Sequence, residues 1–240
     1  VGSLAAATPA EVLRAWQGLG YDRRALALWR AARIIRDEHG GRVPDSVEAL
    51  DALPGVGPYT ARAVAAIAFD RPVGAVDVNV KRVIDRLLGG QEGLPASDVQ
   101  AIADAAVAST DPATWTHAVM DLGAMVCRPR TPRCDACPVR RWCAYALAPT
   151  TPTTPTTPAR SATSPTRPRT PFPATTRWLR GRILDRLREA PVDAWVALDA
   201  GIGTHALDRV HAAATDLATD GLVELQRRTA TGLHARLATG

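Results

Sequence analysis

A chain of 240 residues, 46% of them apolar, is long enough for one large domain or two smaller ones with an ordinary buried core. No apolar run reaches the roughly 18 residues of a membrane span and no secretory signal is visible, so membrane and secreted classes are set aside and a cytoplasmic protein is expected, nucleoid-associated if prokaryotic. The net charge of +5 is uneven: residues 1–147 carry 17 basic and 16 acidic residues, 148–177 carry four Arg and no acid, and 178–240 balance eight against eight.

The chain opens at Val1 inside a helix-like pattern, as a fragment or a processed product would. Residues 9–38 have helical spacing (Val12, Leu13, Trp16, Leu19, then Leu26, Trp29, Ala32, Ile35), broken in two at Gly18-Leu19-Gly20-Tyr21. A further helix follows Pro44, with Asp45 or Ser46 as its cap. Leu53-Pro54-Gly55-Val56-Gly57 is a tight apolar turn that opens directly into a helix over 58–69. Helices over 78–88, 97–108 and 112–126 complete an all-α region. Residues 148–177, with Pro at every third place within Thr150–Pro158, read as a disordered, polyproline-like linker. Order resumes at Arg177-Trp178-Leu179, with helices to about Glu189 and over 204–219. A hairpin then runs from Asp220–Leu225 through a turn at Thr229–Gly232 to Leu233–Leu237, so 178–240 resembles a small winged helix.

Three features carry chemistry. A Gly-x-Gly turn at a helix start presents backbone N–H groups outward, where they can hold a phosphate; here that turn is Leu53, Gly55, Val56 and Gly57. Asp77 stands between an apolar segment and the next helix (Val80, Val83, Ile84, Leu87), as a helix cap or as a working carboxylate. Phosphate grip first and lone carboxylate second suggests a protein that holds a nucleic-acid backbone and works on one nucleotide. The four cysteines, Cys127, Cys134, Cys137 and Cys143, lie within 17 residues, which favours a metal site over a disulfide framework. Their chemistry alone leaves zinc and iron–sulfur open. Arg128, Arg130, Arg133, Arg140 and Arg141 surround them, as a solvated face or as phosphate contacts.

The turn, the Asp and the spacing C-x6-C-x2-C-x5-C together resemble the endonuclease III superfamily of helix-hairpin-helix DNA glycosylases, whose iron–sulfur signature has that spacing. Within it, Trp16–Tyr21, Leu53–Thr60, Asp77–Arg82 and Met120–Cys127 look most like the adenine glycosylases that act on A·G and A·8-oxoguanine mismatches, over about residues 1–147. The resemblance implies a [4Fe-4S] cluster on Cys127, Cys134, Cys137 and Cys143, and a monomer acting on mismatched double-stranded DNA. It makes Asp77 the carboxylate that stabilises positive charge on the sugar as the glycosidic bond breaks, and Asn79 a hydrogen-bonding partner near that sugar. Tyr59 stands where glycosylase/lyases place a Schiff-base Lys; a phenol forms no imine, so a monofunctional enzyme is expected. Tyr21 matches a residue that wedges into the duplex beside the orphan base; Lys81 is expected at phosphate or against its own helix surface, and Arg82 at phosphate.

The expected domains are therefore a helix-hairpin-helix glycosylase domain over 1–147 with its cluster loop at 127–143, a linker over 148–177 and a winged-helix-like tail over 178–240. Two departures from the family accompany the likeness. The family's proton-donating Glu belongs to chain before the segment matching 1–20, and neither Glu11 nor Glu38 sits in its motif, so the 240-residue chain by itself is expected to release adenine slowly or not at all. The tail is shorter than the sheet-containing domain with which many adenine glycosylases read 8-oxoguanine; Phe172–Arg177 ahead of Arg180-Gly181-Arg182 is a DNA-contacting loop or the linker's end. Two other readings stand beside the adenine glycosylase: a mismatch thymine or uracil glycosylase, and a non-catalytic mismatch-binding module.

Overall fold

The computed structural model describes residues 1–90, 93–107, 111–148, 170–227 and 232–239; most of the expected linker, 149–169, and the hairpin tip at 228–231 lie outside the described residues. The described chain forms two compact units. One holds residues 43–148; the other joins residues 1–42 to the residues from 170 onward. This grouping divides the expected 1–147 domain between residues 42 and 43.

The regular elements of the first unit, among its described residues, are all helices: α4 (Val47–Asp51), α5 (Pro58–Phe69), α6 (Val78–Leu88), α7 (Ala96–Val107), α8 (Pro112–Asp121) and the short α9 (Ala144–Leu147), numbered with α1 to α3 preceding them in the other unit. Capping fixes the starts. The Ser46 hydroxyl accepts from the Ala49 N–H at 3.2 Å, Asp111 caps α8 through the Thr114 N–H at 2.8 Å, and Pro58 and Pro112 sit where a missing N–H costs nothing. Val80, Ile84, Val99 and Ala103 form a core between α6 and α7, flanked by Trp115, Val119 and Met120. The helix expected over 112–126 changes character at Leu122. Residues Leu122–Val126 are π-helical, closed by Cys127 N–H donating to Leu122 O at 2.7 Å. The wider turn brings Gly123 against Asn79 of α6, where a Cβ would lie 2.7 Å from the Asn79 Cβ and 2.9 Å from its carbonyl oxygen.

The second unit contains α1 (Gly2–Ala6), α2 (Pro9–Ala15), α3 (Arg23–Glu38), α10 (Thr176–Glu189), α11 (Leu207–Thr219) and an antiparallel sheet of order β1-β3-β2, with β1 Val196–Ala197, β2 Val223–Arg227 and β3 Leu233–Leu237. The strand β1 is too short to show alternation and was not anticipated; its pairing of Val196 with Ala235 is what defines it. One hydrophobic core runs through the unit, from Leu13, Leu26 and Trp29 to Leu184, Leu217 and Leu237. Arg188 of α10, whose side chain is 6% exposed, seals the junction: it donates to Leu13 O at 3.0 Å, to Asp185 at 3.2 Å and closely to Asp22.

Removing Arg188 leaves Asp22 with a lost partner and a carbonyl unmet. Arg188→Met is expected to cost about 3–5 kcal/mol and to unfold α2, α3 and the tail together, read by urea melts alongside protease cleavage in both segments. Cleavage confined to residues beyond 170 would show that the tail folds separately.

Candidate functional site

Asp77 is delivered by a pinned loop. Gly74 N–H donates to Asp104 at 2.7 Å, Arg62 pairs with the same Asp104 oxygen at 2.7 Å, and Gln100 donates to Gly74 O at 2.9 Å. A Cβ at Gly74 would lie 2.6 Å from the Ala103 Cβ, so only glycine lets the loop lie this close on α7. Asp77 then caps α6: Oδ1 accepts from the N–H groups of Asn79 at 2.8 Å and Val80 at 2.7 Å. Its other oxygen, Oδ2, accepts from the Asn79 amide at 2.8 Å. The capping and the working-carboxylate readings are thus compatible, because the cap fixes the half-buried carboxylate in one orientation at the positive end of a helix.

Asn79 is held in turn. Arg82 donates to its Oδ1 at 2.8 Å, to Gly123 O at 2.7 Å and to Cys127 O at 2.8 Å. Arg82, read from sequence as a phosphate contact, spends its guanidinium inside the unit. Lys81 does the same: its ammonium donates to both Asp85 oxygens, at 3.0 and 2.8 Å, and to Leu94 O at 3.2 Å.

Tyr59, in the first turn of α5, donates its hydroxyl to Met120 Sδ at 3.6 Å. Burial pushes the phenol above its usual pKa of 10, and the Asp77 charge pushes it the same way, which places the two side chains in one electrostatic neighbourhood. Before α5, the turn is built as expected. Gly55 has φ +79, a conformation that favours glycine, and stands exposed at the tip. Leu53 is buried and anchors the turn, Val56 is half-buried, and Gly57 starts the helix without a side-chain cap. Among the described residues, the first-turn N–H groups of α5 therefore meet no capping side chain. Tyr21 belongs to the other unit, where it is 66% exposed, so it is no core residue.

None of the four cysteines is in a disulfide, and Cys127, Cys134, Cys137 and Cys143 line one apolar cavity with Arg86 and Tyr145. Burial raises the Cys134 thiol, and the nearness of Cys143, Cys127 and Cys137 raises it further. Arg86 donates to Cys127 Sγ at 3.4 Å and to the carbonyls of Arg128 and Pro129, each at 2.8 Å, while Cys143 donates to Arg86 O at 3.4 Å. Among the described residues no three His, Cys, Asp or Glu side chains converge on a single ion. Four thiols around the walls of a shared cavity, with a cation beside them to offset thiolate charge, are the donor set of a thiolate-bound metal site, zinc or iron–sulfur.

A helix-hairpin-helix motif model matches residues 38–67, which span the α4–turn–α5 hairpin. The chain is 39% identical over 247 aligned residues to the adenine DNA glycosylase of Mycolicibacterium smegmatis, covering 98% of this chain and 76% of that protein. The chain belongs to the adenine DNA glycosylases. With the Mycobacterium tuberculosis adenine DNA glycosylase it shares 40% identity over 78% of this chain, and there it spans only 59% of the relative's length. The fold is that of the endonuclease III superfamily. A thermostable thymine-DNA glycosylase matches with TM-score 0.55 at 30% identity, covering 60% of this chain and 69% of that one. An endonuclease III in non-covalent complex with DNA matches with TM-score 0.51 at 26% identity, covering 60% and 68%. No described helix is long and apolar enough to cross a membrane.

Sequence reasoning passed over Gly74, Arg62 and Asp104, which place Asp77, and Arg86, which reaches the cysteine loop. Gly74 carried a signal, a glycine directly before the apolar segment ending in Asp77, but nothing local pointed to Asp104. The Tyr59 neighbourhood is testable by ultraviolet titration of tyrosinate. The midpoint assigned by difference against Tyr59→Phe should lie above the ordinary value of about 10. In Asp77→Asn it should move down, because a negative neighbour opposes formation of tyrosinate and its removal relieves that. An unmoved midpoint would separate the two side chains.

Proposed function

We propose that the chain hydrolyses the N-glycosidic bond of adenine mispaired with guanine or 8-oxoguanine in duplex DNA, without cleaving the strand. The observation that carries this reading is the Asp77 carboxylate, held by two backbone N–H groups and the Asn79 amide and braced through Arg82. As the bond between the sugar C1′ and the adenine nitrogen breaks, its electron pair leaves with the base and positive charge develops on the sugar. A fixed carboxylate stabilises that charge without reorganising at the moment of reaction. Water then adds its oxygen to C1′, and the departing adenine gains a proton. Protonation of the leaving base is worth about 10²–10⁴-fold, and no carboxylate of this chain is assigned to it. Strand cleavage through an imine needs a free amine. Tyr59 has none, and the chain's single lysine, Lys81, is engaged by Asp85 and Leu94. The turn Leu53–Gly57 grips phosphate with the uncapped N–H groups that begin α5, and the protein acts as a monomer.

The four cysteines hold a [4Fe-4S] cluster in this reading. When bound, the cluster ties residues 127–143 into one covalent unit through iron–thiolate bonds. The loop's carbonyl at Cys127 is also an acceptor for Arg82, so an ordered loop keeps Asn79 and Asp77 in place. A second reading, a mismatch thymine or uracil glycosylase, is favoured by the thymine-DNA glycosylase among the similar folds.

Base-release assays on A·8-oxoguanine, A·G, T·G and U·G duplexes separate the readings. Adenine release from the first two is expected. Asp77→Asn should abolish it while leaving duplex affinity within a few fold, since the carboxylate serves the charged transition state and not ground-state grip. Excision retained by Asp77→Asn would remove Asp77 from its role. Protein purified without oxygen should be yellow-brown with about four iron and four sulfide per chain; stoichiometric zinc without iron would return the cysteines to a structural-zinc site.

A further inference from the structure

The unit formed by residues 1–42 and the tail carries an open cleft of about 900 Å³ between the Gly18–Asp22 turn and the first turns of α10. Six arginines and three aspartates line it, a surplus of three positive charges (Arg23, Arg24, Arg177, Arg180, Arg182 and Arg188 against Asp22, Asp185 and Asp216). Four of the arginines pair with carboxylates: Arg23 and Arg180 with Asp220, Arg182 with Asp185, and Arg188 with Asp22 and Asp185. Arg24 and Arg177 have no carboxylate partner among the described ion pairs, and both are exposed.

The same walls present aromatic faces. Tyr21 and Phe172 are 66% and 59% exposed, and Trp178 is half-buried beside them. Tyr21 is held at φ +52, an uncommon conformation for a bulky residue, with its ring outward and the Arg177 guanidinium 4.7 Å from the ring centroid. Gly18 and Gly20 also have positive φ, and a Cβ on either would meet nothing within 4 Å, so bare backbone borders the open space. Exposed aromatic rings alternating with unpaired guanidinium groups match a nucleic-acid strand, whose phosphates take the charge and whose bases take the rings. An acidic peptide would use the arginines and leave the rings unexplained.

We infer that this cleft extends the DNA-binding surface beyond Tyr21 along one strand, with Arg24 and Arg177 on phosphates and Phe172 against a base. The tail is then part of the DNA-binding surface and not an appendage. Phe172 and Arg177 are its contribution, and Arg177 steadies the Tyr21 ring until a base displaces it. The inference rests on the reading that the chain acts on DNA.

The test is fluorescence anisotropy of the full chain on a duplex with one A·8-oxoguanine pair, between about 50 and 200 mM salt. Each lost phosphate contact lowers the slope of log K against log salt by about 0.9. Arg24→Ala/Arg177→Ala should therefore lower it by about two and weaken binding at least tenfold at the low-salt end. Phe172→Ala should weaken binding several-fold with the slope unchanged, because stacking releases no counterions. All three positions are exposed and none of these arginines holds a buried carboxylate, so the variants should melt as the parent does. Wild-type affinity and slope in both variants overturn the inference, as does binding of an oligoglutamate peptide in the cleft that leaves DNA affinity untouched by the substitutions. Base release by the parent is scored separately. Excision with an unchanged slope in the double variant sinks the cleft and keeps the glycosylase; a lowered slope without excision by the parent does the reverse.

Discussion

The guanidinium of Arg82 is the constraint on which the site depends. One planar group, fixed near the middle of α6, meets the Asn79 side chain, the Gly123 carbonyl and the Cys127 carbonyl, three acceptors from three places in the chain. Hydrogen bonds from a charged donor are worth about 1.5–3 kcal/mol each, and the rigid fork of an arginine sets angles as well as distances. A lysine ammonium also has several donors, but on a flexible stem and without the planar fork that fixes these angles. Helix α6 thus carries the carboxylate at its first turn, the brace one turn on, and Arg86, which reaches the cysteine loop, one turn further. Three consecutive turns of one helix connect the Asp77 carboxylate to the cavity lined by thiols.

Two close approaches of backbone make that helix placement possible. Gly74 lies on Ala103 and Gly123 on Asn79, each nearer than any Cβ allows. The π-helical turn at Leu122–Val126 serves the second approach, since its wider spiral carries the Gly123 carbonyl to Arg82 and ends at Cys127. Interiors are close-packed, so a displacement of a few tenths of an ångström at either glycine would be passed to Asp77 instead of being absorbed.

The other unit follows a different logic. Helices α2 and α3 expose an apolar stripe that the tail covers, and a buried arginine makes the junction specific. Because α10 is fixed against this core, its first turn stands beside the Gly18–Asp22 turn, and residues more than 150 positions apart in sequence line one surface. A tail with its own complete core would be free to take other positions.

The sequence by itself determined helices α3, α5, α6 and α7 nearly to the residue, because their signals are local. Proline at α5 and α8, Ser46 and Asp111 at caps, and a 3.6-residue apolar period each act within one or two turns. The Gly-x-Gly turn, the carboxylate at a helix start, the cysteine spacing and the family likeness were legible for the same reason, as short segments in fixed order. Only the tertiary structure decided what Lys81 and Arg82 do. A basic residue on a helix surface reads the same whether it faces phosphate or an internal acceptor, and the acceptors here, Leu94, Gly123 and Cys127, are distant backbone carbonyls that no side-chain pattern announces. Tertiary packing also moved residues 1–42 into company with the tail, because which of two apolar stripes meet depends on shape and volume, whereas the sequence shows only that each stripe must be covered.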